Sequence, residues 1–187
     1  VYEDGHCIYC GKEEEDHNPY QDNYDKTYYN TTIISLTNQA RVAKGLDELR
    51  YAAEYQSAAD IRAKELISSF SHTRPDGTGP QTALQQAGAS FSNVGENIAW
   101  VSVMYKPSRI VDDWLASPGH CSNMMSDTFD SFVVGTACDG NRVYAVQLFF
   151  RNTATQSPAL NAALASTEIP AEEAAPAPTE APAAETA

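Results

Sequence analysis

The stretch Val143 to Phe150 constrains the fold most. Val143, Ala145, Gln147 and Phe149 alternate with Tyr144, Val146, Leu148 and Phe150. Both faces of the strand they form are therefore largely apolar. Such a strand is central in its sheet, with helices covering it on both sides. It is the return arm of a hairpin, because Phe132, Val133, Val134 and Ala137 lead into Asp139-Gly140-Asn141, a turn sequence. Gln147 is the polar exception. A buried glutamine must find partners, so it ties down a loop or faces a polar cleft.

The helices to cover that strand lie upstream. Thr32 can cap a helix over residues 33–44, with Ile33, Leu36 and Ala40 on one face and Gly45 as its stop. A second helix is expected over residues 52–69. Tyr55, Ala59, Ala63, Leu66 and Phe70 form its inward stripe, and Asp60, Arg62, Lys64 and Glu65 its exposed face. The pattern breaks at Ser71-His72-Thr73-Arg74-Pro75-Asp76-Gly77, a tight turn. Residues 81–86 suit a short helix ended by Gly88. Residues 108–115 suit another, with Ile110, Val111 and Trp114 inward and Asp112 and Asp113 outward.

Charge divides the chain into three parts. The formal net charge is −13, and the acidity sits in the flanks. Residues 1–31 form an acidic, Tyr-rich arm, and the EEED run within it reads as solvated chain. Residues 32–153 are the domain. Residues 154–187 decay into Ala, Pro, Glu and Thr, a disordered tail or linker. Nothing offers the basic stripe that phosphates need, so nucleic acid is not an expected partner. No run is long and apolar enough to cross a bilayer. A chain that begins at Val1 is expected to be a processed piece whose export signal lay upstream.

Three places suggest chemistry. His72 follows the long helix and stands beside a loop. Glu96 lies in VGENIAW, between Gly95 and Asn97 and at the opening of an apolar run, where it either meets solvent or points into a polar cleft. His120 lies in WLASPGHCSNMM, where Ser117 as N-cap and Pro118 start a helix. The positive end of that helix disfavours a protonated imidazole, so His120 tends to stay neutral, the form that binds metal or accepts a proton. Asn97, Ser117 and Gln147 are candidates to support the cleft.

The four cysteines fall into two local pairs. Cys121 and Cys138 would join the His120 helix to the hairpin. In an oxidising compartment they are expected to form a disulfide, which adds roughly 3 kcal/mol by chain entropy. Cys7 and Cys10 form a CxxC followed by Gly11. That pair suits a metal knuckle completed by His6 and His17, a small disulfide or plain structural thiols, or a redox pair.

Five stretches in order, TNQARVAKGLDELRY, FSHTRPDG, VGENIAW, WLASPGHCSNMM and YAVQLFF, resemble the CAP superfamily, also called the SCP or cysteine-rich secretory and pathogenesis-related-1 type domain. The resemblance covers about residues 32–152 and is nearest to the bacterial secreted branch. It implies an α+β fold, an α-β-α sandwich with a small antiparallel sheet between helical layers. It implies a secreted or cell-surface location, and a cleft lined by two His and two Glu that binds a divalent metal such as zinc in several members. Carried onto this chain, the His pair is His72 and His120 and the first Glu is Glu96. Ser117 stands where the second Glu would be, so the expected metal site is open, weak and of low occupancy.

Two functions follow from that resemblance, and whether the chain is an enzyme stays open between them. The first is a monomeric extracellular module that binds a protein, a lipid or a cell-envelope component, with a weak metal site on His72 and His120. The second is a metal-assisted hydrolase of the peptidase type, with Glu96, His72 and His120 as catalytic residues and Glu96 as general base.

Overall fold

The computed structural model describes residues 24–153, together with the backbone of residues 2–3 and 6–7, which pair as two short antiparallel strands, β1 (Tyr2–Glu3) and β2 (His6–Cys7). The side chains of His6, Cys7, Cys10 and His17 lie outside the described residues, and so does the 154–187 segment.

Helix α1 (Lys26–Ala43) starts earlier than Thr32, with Asp25 as its N-cap accepting from the backbone N–H of Tyr28 at 2.9 Å. The Tyr-, Thr- and Asn-rich start has modest helix propensity and reads as arm. Burial overrides it. Tyr29 is 2% exposed in the core, and the Asn30 side chain accepts from Thr136 at 2.8 Å. Asn30 is therefore a packed contact between α1 and β5. Gly45 ends the helix as expected, in the left-handed region at φ +74°.

Strand β3 (Arg50–Tyr51) and a 3-10 turn (Ala53–Tyr55) lead into α2 (Gln56–Ser68), followed by α3 (Gln81–Gln86), β4 (Phe91–Ser102), α4 (Pro107–Ala116), α5 (Pro118–Met124), β5 (Ser131–Cys138) and β6 (Arg142–Asn152). The four-stranded sheet runs β3-β5-β6-β4. β5, β6 and β4 are antiparallel, while β3 joins β5 in parallel, an edge the expected all-antiparallel sheet did not include. β6 is central, as its two apolar faces require.

Alternation along the strands sorts the core into two layers. Phe132, Val134, Val143, Ala145 and Phe149 pack with Ile33 of α1, Trp114 of α4 and Met124 of α5. Val133, Val146, Leu148 and Phe150 pack with Ala59, Ala63 and Leu66 of α2 and Leu84 of α3. The result is a helix–sheet–helix sandwich, matching the expected fold class.

The α2 stripe is only partly as expected. Ala59, Ala63 and Leu66 are fully buried, whereas Phe70 is 46% exposed. Arg62, expected on the outer face, is also fully buried. The helix comes very close to β5, because a Cβ on Gly135 would lie 2.3 Å from the Ala59 carbonyl oxygen.

The expected Cys121–Cys138 disulfide is not formed in this structure, where both are free thiols. α5 docks on β4 at Glu96 and Asn97, where Asn97 is in register with Gln147 and, through it, with Val134. Cys138 lies four residues beyond Val134 on the same strand, β5. Its sulfur accepts instead from the Gly140 N–H at 3.2 Å.

Replacing Gly135 with Ala should push α2 off β5, since backbone is what its methyl meets. We expect a loss of about 1–3 kcal/mol, read as a melting temperature several degrees lower. An unchanged melting temperature would mean that the helix and sheet are not in this close contact.

Candidate functional site

Successive side chains of β4 point to opposite faces of the sheet. Glu96 therefore faces the α2 layer and Asn97 the α1 and α5 layer. Both belong to an edge strand, and each is the centre of a polar network.

Glu96 is held from two sides, by a guanidinium and an imidazole. Its side chain is 2% exposed. Oε1 accepts from Nε–H of Arg62 at 2.9 Å, and Oε2 lies 2.6 Å from Nδ1 of His72. Arg62 spends its other donors nearby, on Glu65 at 2.7 Å and on the carbonyl of Ser71 at 2.9 Å. Arg74 continues the network, giving a pair of donors to Glu65 and reaching Thr82 and Gln86 of α3. The loop that carries His72 is thus pinned to α2, α3 and β4. Burial opposes ionisation of Glu65, but the hydrogen bonds from Arg74 and Arg62 outweigh it and hold the carboxyl below its ordinary range.

Asn97 builds the other network. Its amide donates to the His120 carbonyl at 3.1 Å and to Gln147 Oε1 at 3.0 Å, and its oxygen accepts from Asn123 at 2.9 Å. Gln147 donates to Thr37 Oγ1, which donates to the Ile33 carbonyl. Gln147 thereby joins α1 to β4, tying a helix where a loop or a polar cleft was expected. Arg41 of α1 clamps the far end of α5, donating to the Met124 and Ser126 carbonyls at 2.7 and 2.8 Å.

The outward carbonyls of β4 are satisfied by side chains. Asn123 donates to Glu96 O and the Trp114 indole to Ile98 O. Gly95 leaves room for this docking, because a Cβ there would lie 2.9 Å from the Phe129 ring and 3.3 Å from Asn123 Oδ1. α5 therefore docks on β4 next to Glu96, with the His120 carbonyl bound by Asn97. Burial, and then repulsion from the nearby His72, push the His120 imidazole below the ordinary histidine range.

Some expected details differ. Ser117 occupies the N-cap position of α5 but its side chain makes no capping bond. Asp112 and Asp113 point to solvent as expected, Asp113 pairing with Arg109. Ser71 lends its carbonyl to Arg62 and its hydroxyl oxygen to the Thr73 N–H. Among the described residues no three His, Cys, Asp or Glu side chains converge as a metal-ligand set. The donors at the cleft are two imidazoles, with the Nδ1 of His72 directed by a carboxylate. Two imidazoles fall short of the four ligands of a structural zinc.

Arg62 and Arg74 are what the sequence reading missed. The Arg62 signal was available, since Arg62, Ala59 and Leu66 recur at helical spacing, but a charged residue on an amphipathic helix is ordinarily assigned outward.

The helix–sheet–helix sandwich is the fold of the SCP-domain class. The chain belongs to the cysteine-rich secretory protein (CAP) family, whose model matches residues 34–149. It is 27% identical over 115 residues to the uncharacterized protein YkwD of Bacillus subtilis (strain 168). That match covers 60% of this chain and 44% of the Bacillus protein. Among solved structures, it is similar to an extracellular SCP-domain protein of Bacillus anthracis, with TM-score 0.61 and 26% identity over 68% of this chain and 41% of that one. It shares its fold with an outer surface protein of Borrelia burgdorferi, with TM-score 0.57 and 23% identity over 66% and 92% of the two chains. The chain spans less than half the length of its two Bacillus relatives. No helix among the described residues is long and apolar enough to cross a membrane.

A pH titration of the His imidazole signals tests the environment of α5. His120 should titrate below the ordinary value of 6.5. A lowered folded value means the neutral ring favours the folded state. That contribution is complete above pH 6.5 and is lost as pH falls through the folded value. His120→Gln should flatten stability against pH in that window. A midpoint at or above 6.5 would contradict the burial of this ring.

Proposed function

We propose that the chain is an extracellular binding or interaction module whose ligand site is the cleft at His72, Glu96 and His120. A divalent metal such as zinc would be held there weakly by the two imidazoles. The similarity to a Bacillus anthracis protein described as extracellular supports the location. The ligand class is a protein, lipid or cell-envelope component, taken up by the monomer.

The engagement of both Glu96 oxygens carries this reading over a hydrolase. A general base must reach the water it activates, and the Glu96 side chain is only 2% exposed. Here Arg62 takes one oxygen and His72 the other. The same pairing suits Glu96 to orienting an imidazole, the outer-shell role carboxylates play behind metal-binding histidines. The expected tetrad position at Ser117 supplies no carboxylate in its place.

Calorimetric zinc titration of the full chain tests the site. Wild type should bind in the micromolar range or more weakly, and His72→Ala or His120→Ala should abolish the binding. Identical binding in all three would remove the metal from this cleft, and loss on Cys7→Ser alone would move it to the N-terminal CxxC. Turnover of a peptide or peptidoglycan library that vanishes in Glu96→Gln would establish the hydrolase instead.

A further inference from the structure

We propose that Arg62 is the positioning residue of the cleft, and that it sets which chemistry Glu96 can do. This deepens the binding reading and rests on it for the role of His72. Arg62 is fully buried on α2, and its hydrogen bonds go to Glu96, Glu65 and the Ser71 carbonyl. It reaches His72 by two routes. Through the backbone it binds the carbonyl of Ser71, the residue immediately before His72. Through Glu96 it fixes the carboxylate that meets His72 Nδ1. The His72 ring is 59% exposed, so little packing is available to orient it. Its orientation comes from these two bonds, and one guanidinium holds both.

The geometry of the guanidinium explains why the residue is Arg. Three partners in three directions, Glu96, Glu65 and Ser71, match the planar fork of five donors. A Lys ammonium keeps the charge but presents a single nitrogen and cannot span all three. The pairing also has a chemical consequence. A carboxylate bound to Arg62 on one oxygen and to Nδ1–H of His72 on the other stays in the layer behind the ring. His72 is then held as the Nδ1–H tautomer, with Nε2 unprotonated and open to a ligand. Arg62 thereby keeps Glu96 an orienting group and excludes it from direct ligation.

Nitrogen-15 correlation spectra of the His rings, on the full chain at about pH 8 without metal, where a histidine of ordinary pKa is neutral, read this directly. Wild-type His72 should be the Nδ1–H tautomer, and the Nε–H of Arg62 should exchange slowly with water. Glu96→Gln, which can turn an amide N–H toward Nδ1, should shift His72 toward the Nε2–H form. Arg62→Lys should release His72 to a mixture of tautomers while the His120 signals stay in place, and should weaken zinc binding by roughly 10- to 100-fold. A folded Arg62→Lys variant with wild-type His72 tautomer and zinc affinity would overturn the proposal. Should that variant not fold, rapid exchange of the Arg62 Nε–H in wild type would overturn it equally. The tautomer needs no metal, so absence of zinc binding in wild type counts against the binding reading and leaves the role of Arg62 to be judged by the spectra.

Discussion

The ion pair between Arg62 and Glu96 is the interaction on which the cleft depends. Neither side chain is exposed by more than 2%. Desolvating two charges costs several kcal/mol per ion, and their attraction offsets this only when the remaining donors and lone pairs are also satisfied. Here they are satisfied, by Glu65, Ser71 and His72. Such a pair is weak grounds for stability, since apolar residues of similar volume often do as well. Its clearer effect is geometric. It joins a helix of one layer to the edge strand of the sheet, and it sets the loop between them that carries His72.

The edge strand does two different tasks at adjacent positions. Glu96 turns toward α2 and joins a charged network, whereas Asn97 turns toward α1 and α5 and joins a neutral amide network. Only the pleat separates them. A slip of one residue in the β4–β6 register would exchange their faces, placing the carboxylate among Gln147 and the His120 carbonyl and leaving Arg62 without its partner. Gly95 and Asn123 oppose that slip. Gly95 admits the Phe129 ring, and Asn123 reads Glu96 O and Asn97 Oδ1 together. The charge of Arg62 and the small volume of Gly95 thus specify the same register from opposite faces of the sheet.

These local rules explain which parts were legible in the sequence. The central strand was legible because Val143 to Phe150 is apolar at every position but Gln147, a pattern with few structural solutions. His72, Glu96 and His120 were legible because each interrupts an apolar element beside a loop. Three features were not. The start of α1 was hidden because burial of Tyr29, a long-range contact, outweighs the propensity of its neighbours. The burial of Arg62 was hidden because its partners Glu65 and Glu96 are 3 and 34 positions away, and periodicity reports only that it lies on a helix. The free state of Cys121 and Cys138 depends on how α5 and β5 are placed in the fold, which pair counting does not address.

The balance of charge within the cleft bears on what it can hold. Glu65 and Glu96 are matched by Arg62 and Arg74 inside the fold, and burial favours the neutral form of His120. The site thus offers imidazole nitrogens with no unmatched carboxylate behind them. A metal bound there would see less negative charge than in a cleft with two free glutamates, so its attraction would come from the imidazoles themselves. The same neutrality removes the field that would draw in a cationic substrate or stabilise a strongly charged intermediate. A cleft neutralised in this way would select by hydrogen bonding and shape, in keeping with the binding role proposed above.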